Sequence, residues 1–131
     1  LVTELASVRR NLGLQLPGPQ QGAAIAALGD DAHVTEQRTR YAARRDVLRP
    51  ALEAAGFRID HSEAGPYVWA TREEPAERSV AELADHGIVA VPGTEYGLHG
   101  AAHVRFALTA PDADMALAAQ RLPTLPDKAL R

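Results

Sequence analysis

The 131-residue sequence contains no cysteine, and its only lysine, Lys128, lies in the C-terminal tail. A chain without cysteine can form neither a disulfide framework nor a thiolate metal site, and this composition favours a reducing compartment such as the cytoplasm. No apolar run approaches the length that spans a bilayer, and acidic residues from Glu4 onward interrupt any signal-peptide pattern. We therefore expect a cytoplasmic protein with no membrane partner.

The sequence also lacks the short motifs that carry chemistry by themselves: Gly-x-Ser-x-Gly, a phosphate-binding Gly-Lys-Ser/Thr loop and Gly-x-Gly-x-x-Gly. The net charge of −3 gives no electrostatic reason to expect nucleic acid. The arginines between positions 38 and 49 are better explained by a solvated helix face with ion pairs such as Glu36 with Arg40. We expect no metal site, because His99 and His103 have no accompanying cysteine or acidic third ligand.

The composition is that of a globular domain, with 46% apolar residues, many of them alanine. Helical periodicity predicts helices over residues 1–12, 20–28, 32–55, 79–86 and 111–122. Short apolar or alternating runs predict strands over residues 57–61, 67–71, 88–91 and 103–108. We expect the first two strands to pair as a hairpin. The order of elements predicts an α+β fold, in which helices cover a small, mostly antiparallel sheet.

Prolines and the chain start indicate where these elements are interrupted. Pro50 lies inside the long helical pattern and cannot donate a hydrogen bond to the carbonyl of Asp46, so we expect a kink or a break there. Residues 123–131 contain two prolines and are expected to form a loose tail. The chain opens at Leu1 directly in a helical pattern and without methionine, which suggests a piece of a longer protein or a trimmed one.

Arg105 is the residue with the clearest functional signal, because it lies in a predicted strand among Val104, Phe106 and Leu108. An unpaired buried guanidinium is very costly, so this side chain must face water, a partner carboxylate or a ligand anion. One interpretation is a structural ion pair at a sheet edge. The other is a bidentate clamp for a carboxylate or a phosphate.

The loop before this strand allows two interpretations as well. Residues 92–97, PGTEYG, are typical of plain turn chemistry. Alternatively, the loop lines a pocket beside Arg105, which would place Tyr96 at the mouth of a site.

The run GIVAVPGTEYGLHGAAHVRFAL covers residues 87–108. It resembles the C-terminal end of class I pyridoxal-phosphate aminotransferases. LPGPQQ at 16–21 resembles the segment after their cofactor lysine, and the YxxRRDxL and AGF motifs within 41–57 resemble their interdomain helix. GPYVW at 65–69 resembles their G-x-Y/F-x-W strand, and the resemblance covers residues 1 to about 122.

The resemblance implies a domain organisation. Residues 1–31 would be helices from the end of the large domain, and 32–55 would be the long interdomain helix, kinked near Pro50. Residues 56–122 would form the small α/β domain of the fold-type I architecture, followed by the tail.

The resemblance also implies roles for residues. In this family the arginine that matches Arg105 grips the α-carboxylate of the amino-acid substrate, and Tyr96 and Gly97 are further candidates for substrate contact. The family's cofactor-binding groups lie upstream of the region matched here. They are the lysine that carries the pyridoxal phosphate, the aspartate that pairs with its pyridine nitrogen and most of the phosphate-binding groups. Lys128 does not match the sequence context of the cofactor lysine. We therefore expect no catalytic and no cofactor-binding residue in this chain.

The implied function is that of an enzyme part. Three segments, AG at 64–65, WATR at 69–72 and HVRFALTA at 103–110, look most like actinobacterial succinyldiaminopimelate transaminases. Those enzymes use N-succinyl-diaminopimelate and glutamate in the lysine and diaminopimelate pathway. The chain would be silent alone and would contribute a carboxylate clamp and a closing lid to a homodimeric, cofactor-containing enzyme.

A second hypothesis is a stand-alone α+β module that holds a small carboxylate at Arg105 and residues 92–100 without chemistry. The two hypotheses differ in what they predict for the first helix. An enzyme part would leave Leu1, Leu5, Val8 and Leu12 exposed, whereas a closed module would bury them.

Overall fold

A computed structural model describes residues 1–126 of the chain. The helices are Val2–Asn11 (α1), Gly18–Leu28 (α2), Asp31–Ala54 (α3), Ala76–Asp85 (α4) and Asp112–Arg121 (α5). The strands are Arg58–Ile59 (β1), Tyr67–Thr71 (β2), Val91–Pro92 (β3) and His103–Ala107 (β4). Short 3₁₀ turns cover Gly93–Tyr96, Leu98–Gly100 and Leu122–Thr124. The chain divides into two compact units, Leu1–Glu36 and Gln37–Arg131.

The first unit consists of α1, α2 and the beginning of α3, and none of its residues is buried. The exposed apolar side chains include Leu1, Leu5, Val8 and Leu12, with exposed fractions of 86%, 54%, 54% and 66%. The helices follow their sequence pattern, but the unit has no hydrophobic core of its own.

The N-terminus of α3 is capped by a side chain within this unit. The side-chain oxygen Oδ1 of Asp30 accepts hydrogen bonds from the backbone N–H groups of Ala32 (3.0 Å) and His33 (3.3 Å). Such bonds satisfy donors that the first turn leaves open. The hydrogen bond from the His33 backbone also lowers the pKa of the Asp30 carboxyl.

The second unit contains a four-stranded sheet in the order β1-β2-β4-β3, and every neighbouring pair is antiparallel. β1 and β2 form the predicted hairpin. In the register of the two central strands Trp69 lies opposite Arg105, and on the other side of β4 Arg105 lies opposite Val91. The α+β fold with a small antiparallel sheet is therefore confirmed.

The two faces of the sheet have different surroundings. Alternate residues of the central strands, Val68, Ala70, Val104 and Phe106, are at most 3% exposed. They pack in one hydrophobic core with residues of the surrounding helices, among them Leu48, Leu52, Leu83 and Met115. Because side chains alternate along a strand, Trp69 and Arg105 point to the opposite face.

Two local predictions are narrowed or corrected. Of the kink or break expected at Pro50, the break does not occur, and α3 runs on to Ala54, because Leu48 and Leu52 on either side of the proline are both buried in the core. β3 covers Val91–Pro92 rather than 88–91. Ile88 instead belongs to the turn that follows α4. Its backbone N–H donates to the carbonyl of Leu83 at 2.8 Å, and its side chain is buried.

The segment after β2 contains buried charges. Arg72 is 3% exposed and donates from Nη1 to Oε2 of Glu82 at 3.1 Å. Glu74 is also buried and accepts from the hydroxyl of Ser79 at 2.7 Å. Because a buried charge is tolerated only when it is paired and hydrogen-bonded, this network ties the end of β2 to α4.

The expectation of a loose tail is wrong for the first residues of that tail, because Arg72 binds one of them. Nη2 of Arg72 donates to the carbonyl of Pro126 at 2.9 Å, and the side chain of Leu125 is only 8% exposed. Residues 123–126 are therefore held against the second unit. The remaining tail residues, which include Lys128, lie outside the described part of the chain.

Leu52→Ala tests the core. Leu52 is fully buried in the second unit, so we expect the substitution to lower the free energy of unfolding by about 2–5 kcal/mol in urea. Val89 is 94% exposed, and Val89→Ala should stay within about 0.5 kcal/mol of the parent chain. Equal effects of the two substitutions would contradict the assignment of the core.

Candidate functional site

Arg105 lies on β4, which has a neighbour on each side, and its side chain is half-buried on the face that the core does not cover. Within residues 1–126 no carboxylate approaches its guanidinium to ion-pair distance, so the structural ion pair at a sheet edge is not formed there. Nη1 instead donates a hydrogen bond to the hydroxyl of Tyr96. The positive charge is thus available to an anion that this part of the chain does not provide.

Two tyrosine rings enclose this guanidinium. Its Cζ atom lies 4.3 Å from the centroid of the Tyr67 ring and 5.4 Å from that of Tyr96. Both distances permit a cation–π attraction, which partly replaces the water that the charge has lost. The Nε atom is buried without a hydrogen-bond partner. The rings therefore hold the plane of the guanidinium and leave its Nη groups as the accessible donors.

Trp69 supports this arrangement from the neighbouring strand. Its ring meets the Tyr96 ring edge-on, with centroids 5.8 Å apart, and stacks on the His103 ring at 5.1 Å. Nε2 of His103 lies 3.1 Å from Oδ2 of Asp60. Trp69 and His103 thus form a backing layer for Tyr96, and the contact with Asp60 fixes the outer end of that layer.

The loop that carries Tyr96 is held by a close backbone contact. A Cβ atom added at Gly93 would lie 2.3 Å from the carbonyl oxygen of Gly100, and one at Gly100 would lie 2.0 Å from that of Gly93. No side chain fits at either position, so both glycines are required for the loop to fold onto the sheet. Gly97 has a φ of +104° and provides the reversal between the two 3₁₀ turns.

A hydrogen bond ties the same loop to α4. The hydroxyl of Thr94 donates to Oε1 of Glu77 at 2.7 Å, and this bond lowers the pKa of the Glu77 carboxyl. Of the two interpretations of this loop, the structure shows turn chemistry that also places Tyr96 beside Arg105. The role of Gly97 visible in the structure is conformational.

Two other expectations concern metals and membranes. Among residues 1–126 no three histidine or acidic side chains come close enough together to hold a metal ion. His99 is exposed in the second 3₁₀ turn of the loop, whereas His103 faces Asp60. Over the same residues none of the helices combines the length and the apolarity that crossing a bilayer requires.

Sequence reasoning found Arg105 and Tyr96 but did not assign Tyr67, Trp69 or His103 to the site. Their signal was present in the alternation of YVWAT and HVRFA, which places one set of residues on each face. What was missing was the register between the two strands, because no local pattern states that Trp69 pairs with Arg105.

A family model described as "Aminotransferase class I and II" matches residues 1–122. Two relatives are each 54% identical over 122 residues, or 93% of this chain. They are the probable aminotransferase Rv1178 of Mycobacterium tuberculosis, of which the match covers 29%, and the 4-dedimethylamino-4-oxo-anhydrotetracycline transaminase OxyQ of Streptomyces rimosus, of which it covers 34%. The chain therefore spans about a third of the length of these relatives.

More distant relatives agree with this match. An LL-diaminopimelate aminotransferase of Dehalococcoides mccartyi is 35% identical over 116 residues, which cover 86% of this chain and 30% of the relative. Among solved structures, an aminotransferase from Staphylococcus aureus superposes with a TM-score of 0.73 at 31% identity, covering 84% of this chain and 30% of its own.

Gly93→Ala tests how the loop is held. The added methyl group would meet backbone oxygens of Gly100 and His103 and the edge of the Trp69 ring, all within 2.8 Å. We expect the loop to shift, so that the fluorescence of Trp69, the only tryptophan in the chain, changes and stability falls by about 1–3 kcal/mol.

Gly22→Ala is the matched control, because nothing lies within 4 Å of the added atom in α2. It should leave the Trp69 emission unchanged and should not lower stability, because alanine is favoured over glycine inside a helix. A Gly93→Ala chain with the parent emission spectrum and stability would contradict the proposed packing of the loop on Trp69.

Proposed function

This chain belongs to the class I and II aminotransferases, and on that basis we propose that it is the C-terminal part of an aminotransferase in which Arg105 binds the substrate carboxylate. The observation that carries the proposal is the guanidinium of Arg105, which is fixed between two tyrosines and has no carboxylate partner in residues 1–126. A planar guanidinium is suited to bind the two oxygens of a carboxylate.

The proposal assigns the cofactor to another part of the enzyme. Class I and II aminotransferases use pyridoxal phosphate, which acts as an electron sink for amino-group transfer when it is bound. Residues 1–126 contain no lysine and therefore cannot attach this group. They do not fit a complete cofactor site, and their contribution is to bind and orient the substrate carboxylate and to shield it from water.

The proposed domain organisation follows from the same assignment. Residues 1–31 would complete the large domain, 32–55 would connect the domains and 56–122 would form the small domain, in a cytoplasmic homodimer. The exposed apolar side chains of the first unit support this organisation, since α1 and α2 bury nothing by themselves. The stand-alone module is disfavoured by the same observation, because it requires these helices to be part of a closed core.

For the substrates, we propose glutamate as the amino donor and the keto acid of N-succinyl-diaminopimelate as the acceptor, so that glutamate leaves as 2-oxoglutarate and N-succinyl-diaminopimelate is formed. The likeness to LL-diaminopimelate aminotransferases supports a diaminopimelate-type substrate. The relative OxyQ, named for a tetracycline substrate, is more similar to this chain and favours a second candidate, a polycyclic ketone. Both substrates would leave the role of Arg105 toward the amino-acid partner unchanged.

The decisive experiment joins this chain to the missing part of an enzyme. The N-terminal portion of the mycobacterial relative, fused upstream of Leu1, should give a soluble protein that binds pyridoxal phosphate and transfers the amino group of glutamate. Activity with the succinylated diaminopimelate keto acid, and none with the anhydrotetracycline ketone, would support the first substrate.

Controls come from the unfused chain. The 131-residue chain and its Lys128→Ala variant should show the same weak, non-saturable absorbance change with pyridoxal phosphate. Saturable binding that Lys128→Ala abolishes would mean that this chain carries a cofactor site of its own. A folded fusion that binds the cofactor but transfers no amino group would contradict the proposed function.

Arg105→Lys in the fusion tests the clamp. An ammonium group cannot reproduce the planar fork, so we expect kcat/KM for glutamate to fall by an amount equivalent to about 2–5 kcal/mol. Arg49→Lys makes the same change on an exposed helix face, where the guanidinium is 3.8 Å from Glu53, and should have little effect. Equal kinetics of the two variants would remove Arg105 from substrate binding.

A further inference from the structure

We infer that the hydroxyl of Tyr96 is a second donor to the carboxylate that Arg105 binds, and that the carboxylate meets the Nη end of the guanidinium rather than its Nε edge. This inference rests on the proposed function of Arg105. It assigns to Tyr96 a direct contact with the substrate and a part in selecting carboxylates over neutral groups.

The hydrogen bond between the two side chains sets the direction of the hydroxyl proton. Nη1 of Arg105 donates to the hydroxyl oxygen of Tyr96, so one lone pair of that oxygen is occupied. A phenol has one proton to donate in addition to its lone pairs. Since Arg105 carries only donors, the proton of Tyr96 must point away from it, toward any acceptor that approaches the Nη groups.

Burial decides which edge of the guanidinium an anion can reach. The Nε atom is buried and unpartnered, so a carboxylate in solution cannot reach the Nε edge. Nη2 makes no hydrogen bond within residues 1–126 and is not among the buried unpartnered atoms. The accessible donors are therefore Nη2, the second proton of Nη1 and the hydroxyl proton of Tyr96.

The surroundings hold these donors in place before a ligand arrives. The Tyr67 and Tyr96 rings lie within 5.4 Å of the Arg105 Cζ atom, and Trp69 backs the Tyr96 ring. The backbone contact between Gly93 and Gly100 fixes the loop. Tyr96 is nevertheless 56% exposed, so its hydroxyl reaches a ligand from outside the sheet. Donors fixed in advance lose little entropy on binding, which favours a charged acceptor.

Tyr96→Phe removes only the hydroxyl and tests the inference in the full 131-residue chain. Succinate is the probe, and succinamide, which has the same length without charge, is the control ligand. NMR titration should show succinate shifting the guanidinium signals of Arg105 and the ring signals of Tyr96, with no saturable response to succinamide. We expect Tyr96→Phe to weaken succinate binding roughly tenfold, the usual effect of losing one hydrogen bond to a charged group.

Tyr41→Phe is the matched variant, because it removes the same group from a tyrosine on α3 that belongs to the core periphery. It should bind succinate like the parent chain. Unchanged Trp69 fluorescence in both variants would show that the loop is still in place.

The outcomes separate this inference from the function on which it rests. If Arg105→Lys abolishes binding while Tyr96→Phe binds like Tyr41→Phe, the clamp stands and the role of Tyr96 is overturned. If the parent chain responds equally to succinate and succinamide, the carboxylate clamp itself fails, and the inference fails with it. If succinate binding weakens in Tyr96→Phe and not in Tyr41→Phe, the result supports both the carboxylate clamp at Arg105 and the role of Tyr96.

Discussion

The antiparallel pairing of β2 with β4 is the constraint on which the site depends. Trp69 lies opposite Arg105, and Val68 lies opposite Phe106, so each face receives a complete set of alternate residues. The apolar set enters the core with Leu52 of α3. A slip of one residue would turn the guanidinium of Arg105 toward the core and expose Phe106, and burying an unpaired charge is very costly. The register therefore serves folding and function together.

The second component of the site comes from a loop, and its placement depends on contacts that are distant in sequence. Tyr96 reaches Arg105 because Gly93 and Gly100 pack backbone against backbone and Thr94 is bonded to Glu77. The loop is thus as constrained as a strand, although it contains only two short 3₁₀ turns. A rigid scaffold that presents a binding residue on a loop is a common way to combine stability with recognition.

Charges in this unit divide into two kinds with different consequences. Arg72 is buried and bonded to Glu82 and to the carbonyl of Pro126, so its charge serves to hold elements together. Arg105 is half-buried and is bonded to the hydroxyl of Tyr96, and no carboxylate among residues 1–126 pairs with its charge. The same residue type thus acts as an internal tie in one place and as a candidate anion receptor in the other.

The sequence by itself determined the helices, the alternation of the strands, the presence of a charged Arg105 within an apolar strand, and the family. These follow from local periodicity and from motifs that are continuous along the chain. It did not reveal that α3 continues through Pro50, that Arg72 is buried, or that Trp69 and Tyr96 meet beside Arg105. Only the tertiary structure decided these features, because each depends on the free energy of packing between residues that are far apart in sequence, which no local pattern encodes.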